Sequence, residues 1–233
     1  MLAIFKREIR AYFVSPIGYV VIVLFLLFSG YFFSFQYSLG SPDLSFVFSQ
    51  MFSIVLFVIP ILTMRLMSED KRLKVDQALL TAPIRLSSIV LGKFFAAMVV
   101  FLIGFSGTLV FQLIISAYVS PNWIVYFGNL LGILLLGSAL ISIGIFVSSL
   151  TESQMVAAVA SFAISLFVML LDTFAEIINI SIVKKIADWV SFLGRYEAFT
   201  NGIFDYSNVV FFLSFAAVFL FLTVRMLEKK RWA

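Results

Sequence analysis

The residue types that carry chemistry are sparse in this chain, and the missing ones decide most. Its 233 residues include no His and no Cys. It therefore offers no imidazole or thiolate to a metal, no His-based triad, no thiol nucleophile and no disulfide. The only Gly-Lys, Gly92-Lys93, has Ser87 where a phosphate-binding loop needs its first Gly. Asp172 and Glu176 are the carboxylates on which an intramembrane enzyme would have to rest. The densest ionic group lies between Arg65 and Ser88, where Glu69, Asp70, Lys71, Arg72, Lys74 and Asp76 crowd together beside Gln77. That mix of signs fits a short helix joined to a partner, and equally a solvated connecting loop.

The elements that must position these groups are apolar. Hydrophobic residues make up 63% of the chain and charged residues 12%, against about 45–50% and about 25% in a soluble domain. A bilayer-crossing helix needs about 20 apolar residues. Six stretches qualify, at 17–39, 46–64, 89–117, 123–149, 154–172 and 208–225. The fold class expected is all-α integral membrane, one domain over residues 1–233. Charges enter these stretches only near their ends, as Lys93, Asp172 and Arg225. A proton- or ion-coupled transporter usually carries an ionisable group at mid-membrane. With none there, uphill movement would need energy from another chain.

Loop charge sets the orientation. With the N-terminus inside, 13 of the 16 basic residues and half of the acids fall on the inner side, a net of +7 against −3 outside. Both termini are expected in the cytoplasm, in a multi-pass protein of the cell inner or plasma membrane. The overall charge of +4 then reflects topology, and nothing points to nucleic acid. The first apolar run is longer than the roughly 7–15 residues of a signal-peptide core, so it is read as a retained span.

Three segments are not spans. In residues 2–14, Leu2, Phe5, Ile9, Tyr12 and Phe13 follow helical spacing while Lys6, Arg7 and Arg10 lie opposite. That pattern suits a helix in the headgroup layer, or plain membrane-flanking charge. Between spans two and three, residues 68–80 predict one helix, with Ser68 as N-cap, acids in its first turn and Pro83 as its stop. It either joins a partner or only connects. Residues 173–207 are too polar for a span and too apolar for free solution. Short helices dipping into the outer leaflet fit, with Trp189, Tyr196 and Tyr206 at the interface, as a wall of an exit path or a simple cap.

Small residues mark expected packing faces. Gly128 and Gly132 form GxxxG, Ser138/Ser142 and Gly144/Ser148 repeat its spacing, and Ala157, Ser161 and Ser165 do so in the fifth span. Pro60 is placed to kink the second span. Gln50 and Gln112 are the polar groups within spans, better suited to interhelical hydrogen bonds than to substrate.

Four stretches combine into a recognisable order: FKREIRAYFVSPIGYVVIVLFLLFSGYFF at 5–33, MRLMSEDKRLKVDQALLTAPIRLSSIVLGKFFAA at 64–97, GIFVSSLTESQMVAA at 144–158 and SFLGRYEAFTNGIFDYSNVVFFLS at 191–214. In this order and spacing the chain resembles the ABC-2 class of ABC transporter permeases. It looks most like the subgroup holding the gliding-motility-associated permeases and the permease linked to nitrous-oxide reductase maturation. Gln77-Ala78-Leu79-Leu80-Thr81 stands where that family has an ELLLT-like helix. Asp76-Gln77 replaces the more usual Leu-Glu, which moves or removes one acidic contact.

The resemblance implies a permease subunit without catalytic residues. It would pair with a second permease, identical or not, and bind cytoplasmic ATPase subunits that hold ATP and Mg. An additional membrane or extracytoplasmic subunit is compatible with it. The family's coupling helix would map to Ser68–Thr81, with Glu69, Asp70, Lys71, Arg72, Lys74, Asp76 and Gln77 as polar contacts and Leu79 and Leu80 as apolar anchors. The elbow helix would centre on Phe5, Lys6, Arg7, Ile9 and Arg10, and residues 176–206 would match an outer re-entrant region before the sixth span. The expected activity is ATP-driven transport, most simply export. The alternative is a membrane scaffold or receptor-like subunit that holds a different partner.

Overall fold

A lone apolar segment in lipid can satisfy its backbone only by forming a helix, and each of the six apolar stretches is helical. The computed structural model describes residues 1–40, 44–81, 84–118, 120, 122–178 and 191–232, with the backbone alone at 80, 171–178 and 232. In chain order the helices are α1 (Leu2–Val14), α2 (Pro16–Ser38), α3 (Ser45–Thr63), α4 (Arg65–Arg72), α5 (Val75–Thr81), α6 (Leu86–Ser116), α7 (Trp123–Leu150), α8 (Gln154–Ile178), α9 (Phe192–Thr200) and α10 (Tyr206–Trp232). No strand occurs among the described residues. Helices α2, α3 with α4, α6, α7 and α10 are long and apolar enough to cross a membrane. The protein is an all-α, multi-pass membrane protein. The stretch at 154–172 falls on α8, whose fully described apolar part is Gln154–Leu170.

The core is built around α7, the most deeply buried of the long helices, while α2 and α10 are the least. Helix α7 packs against α3, α6, α8, α9 and α10. On α2, Val20, Val23 and Leu27 face outward, as do Val210, Leu213 and Phe221 on α10. Apolar side chains pointing away from a packed core are what a lipid solvent selects. The interior is aromatic, with Phe25, Phe101 and Phe105 in mutual ring contact.

Small residues act at some expected positions and not at others. A Cβ at Gly132 would come within 2.7 Å of the Phe199 Cβ, so α9 lies tightly on α7 there. At Gly128 it would meet nothing within 4 Å, so that half of the GxxxG is not a contact in this chain. At Gly144 a Cβ would lie 2.1 Å from Thr63 Oγ1, so α7 and α3 are in close contact there. Ala157, Ser161 and Ser165 are buried along one face of α8, which packs on α3 and α7.

Other expectations change. The single helix predicted over 68–80 is two helices, α4 and α5, broken at Leu73–Lys74. Ser68 is not an N-cap but lies inside α4, which starts at Arg65. Tyr196 faces the protein interior: it is fully buried, and its hydroxyl donates to the Phe48 carbonyl at 2.6 Å. That bond seats α9 on the start of α3. Tyr206 is exposed, Gln50 is exposed and Gln112 is buried. Trp189 and the side chains of Leu80, Asp172 and Glu176 lie outside the described set.

A charged junction at one end of the bundle

The ionic residues gather where α1, α4, α5, the start of α6 and the ends of α7 and α10 meet. Helix α1 lies against α6 with Ile4, Glu8 and Tyr12 buried, a stripe of four-residue spacing. Leu2 is exposed, and Phe5, Ile9 and Phe13 are only partly buried. The inward face thus carries an acid, which the apolar-versus-basic division of this helix overlooked. Ile4 reaches α6 because Gly92 leaves room for it, a Cβ there lying 3.1 Å from Ile4 Cγ2.

Lys93 is at the centre, with 1% of its surface exposed. Its ammonium donates to Glu8 Oε1 at 2.9 Å and to the Leu66 carbonyl, and forms an ion pair with Asp70 Oδ2 at 2.7 Å. Arg7 closes the group from the rim, with Nη2 2.5 Å from Glu8 Oε1 and 2.9 Å from Asp70 Oδ2. Burial disfavours the Arg7 charge, but the bond to Glu8 and the fields of Glu8 and Asp70 outweigh it and raise its pKa. Two cations and two carboxylates cancel. A buried charge needs such pairing, because taking a lone ion out of water costs far more than a neutral group.

Around this centre α4 is tied down repeatedly. Ser148, near the end of α7, accepts the backbone N–H groups of Met67 at 3.1 Å and Ser68 at 3.0 Å, and donates to the Met64 carbonyl at 2.9 Å. Lys71 donates to the Ser149 carbonyl. Arg65 pairs with Glu69 at 3.0 Å, donates to Ser15 Oγ at 2.5 Å, and has its guanidinium carbon 5.5 Å from the centroid of the Tyr12 ring. Tyr12 in turn donates to the Leu62 carbonyl at 2.7 Å. Asp76, on α5, pairs with Lys230 of α10.

The expected contact residues therefore divide. Asp70, Lys71, Asp76 and Glu69 are engaged within the chain. Arg72, Lys74 and Gln77 are exposed, and so is Leu73, while Leu79 is half-buried. On α1, Lys6 and Arg10 are exposed and Arg7 turns inward. Glu8, Lys93, Arg65 and Ser148 were missed as a group. The available signals were a lone acid in a basic helix and a lone Lys opening an apolar span, since an unmatched charge near a membrane needs a partner.

Among the described residues no cluster of acids could hold a metal. One ammonium joins three helices here, Lys93 of α6 to Glu8 of α1 and Asp70 of α4, which makes the junction a mechanical connection between them. Comparison with protein-family models, with curated proteins and with solved structures returned no match to this chain.

Proposed function

We propose that this chain is the transmembrane permease subunit of an ATP-driven ABC transporter of the ABC-2 class, most simply an exporter. In this reading α8 is the fifth of six spans and both termini are cytoplasmic. The charged junction then faces the cytoplasm, where ATPase subunits carry ATP and Mg, and a second permease completes the pathway. Helix α1 serves as the elbow, α4 and α5 as the coupling segment, and α9 belongs to the outer re-entrant region before the last span. The chain itself has no catalytic role.

The observation that supports this most is the way Lys93 joins α1 and α4 to α6. A force applied at α4 would reach α1 and α6 through buried ion pairs, and α7 through Ser148. Close-packed interiors transmit such displacements instead of absorbing them. Nucleotide can drive the change only by binding one conformation better than the other. Exposed Arg72, Leu73, Lys74 and Gln77 make the surface offered to the ATPase.

The test is to tag the chain in its native cell, solubilise it gently and identify what co-purifies. A cytoplasmic ATPase in roughly equal amount is the expected result. Recovery of this chain without an ATPase, under conditions that keep a control transporter intact, would overturn the reading in favour of a scaffold.

A further inference from the structure

Helices α4 and α5 are consecutive, yet they are held very differently. Helix α4 is fixed by Lys93, Arg7, Ser148 and the Ser149 carbonyl, largely away from water. Helix α5 makes one side-chain bond outside itself among the described residues, from Lys230 Nζ to Asp76 Oδ2 at 2.5 Å. The other Asp76 oxygen accepts the Gln77 N–H at 2.9 Å. The Lys230 side chain is 42% exposed, so water and ions compete for this pair, as they do for surface ion pairs generally.

Between the two helices stands Lys74, with φ at 57°, the one non-glycine residue with positive φ among those described. Helices often end on such a left-handed residue, and glycine usually supplies it because a Cβ is crowded there. The N–H of Leu73 reaches back to the Glu69 carbonyl at 2.9 Å and that of Lys74 to the Lys71 carbonyl at 3.0 Å, so α4 closes at this joint. Under α5 lies a cleft with Leu79 on one side and Met67, Ile89 and Leu227 on the others. Asp70, Lys71 and Asp76 line the rest of it.

We propose that α5 is a flap that swings at the Leu73–Lys74 joint and is latched by the Asp76–Lys230 pair. The C-terminal end of the last helix then sets whether Leu79 stays over the cleft or is released from it. A partner that offers a carboxylate to Lys230 or a cation to Asp76 would open the latch without disturbing α4. This goes beyond the transporter reading and does not depend on it, because latch and hinge belong to the chain alone.

Hydrogen exchange on the purified full chain tests it, comparing residues 75–81 with residues 65–72 in the parent protein, Lys230→Met and Lys230→Arg. Lys230 is at the exposed end of α10, so neither change touches the core. Lys230→Met is expected to speed exchange over 75–81 about fivefold, the scale of one partly exposed ion pair, with 65–72 unchanged. Lys230→Arg should keep the parent rates. Unchanged exchange over 75–81 in Lys230→Met would overturn the proposal. So would a parallel rise over 65–72, or a rise in Lys230→Arg equal to that in Lys230→Met.

Discussion

Lys93 and Glu8 are separated by 85 positions in sequence, yet their charged atoms lie 2.9 Å apart and the Lys93 side chain is 1% exposed. The contact fixes the basic N-terminal helix against the start of α6, and Asp70 on the same ammonium brings in α4. Truncating one member of a buried ionic group leaves the others unpaired, which is why such groups are costly to break even where they add little net stability.

Lys93→Met is expected to lower stability by about 3–5 kcal/mol, because Glu8 and Asp70 are then left to Arg7 alone. Glu8→Gln should cost less, since Lys93 keeps Asp70 and the Leu66 carbonyl. Thermal unfolding of the purified variants ranks the two.

Ser148→Ala should cost about 1–3 kcal/mol, for it leaves two N–H groups of α4 without their acceptor. Ser142→Ala is the control. Its hydroxyl donates at 2.6 Å to the Ala139 carbonyl of its own helix, which keeps its helical bonds when the side chain goes. A change within about 0.5 kcal/mol is expected there. The same unfolding assay compares them.

Gly144→Ala and Gly128→Ala separate a real helix contact from a matching motif. At Gly144 the new methyl meets Thr63 Oγ1 at 2.1 Å, and overpacking of this kind costs about 1–3 kcal/mol. At Gly128 the space is open, and Gly→Ala inside a helix should be neutral or slightly stabilising. Detergent-resistant folding of the two variants, read by thermal unfolding, checks the contrast.

The absence of Cys allows single-cysteine labelling for orientation. Ala78 and Ile203 are both exposed, near the charged junction and near the opposite end respectively. A cysteine at 78 is expected to react with an impermeant thiol reagent only after cells are opened, and one at 203 in intact cells.

Leu73→Asp tests the proposed ATPase contact by placing a charge on the exposed Leu73 position. It should reduce ATPase capture at least tenfold, which corresponds to about 1.4 kcal/mol, while leaving thermal unfolding unchanged because Leu73 is 58% exposed. Quantitative co-purification alongside unfolding separates the two effects.

The helical stretches were legible because a span is a local property: length and apolar content over some 20 residues determine it. The expected 17–39 and 123–149 meet Pro16–Ser38 and Trp123–Leu150 almost end to end. Helix α4–α5 was not legible in that way. Residues 68–80 have continuous helix formers, and the break at Lys74 depends on how α4 is anchored and where α5 finds Lys230. Gly128 and Gly144 look alike in sequence, and only the position of Thr63 on a neighbouring helix tells them apart.

By itself, the sequence determined that this is an all-α membrane protein without His or Cys chemistry, and which stretches form its apolar helices, though α8 and α10 run on to Ile178 and Trp232, past the expected ends at 172 and 225. Composition and run length carry that information, and lipid leaves the backbone no other solution. The tertiary structure alone decided that Glu8 faces inward, that Lys93 takes both Glu8 and Asp70, and that Asp76 is held by a lysine near the far end of the chain. Ion pairs act between residues close in space, over a few ångströms, and those distances are set by how the helices pack and not by the order of residues along them.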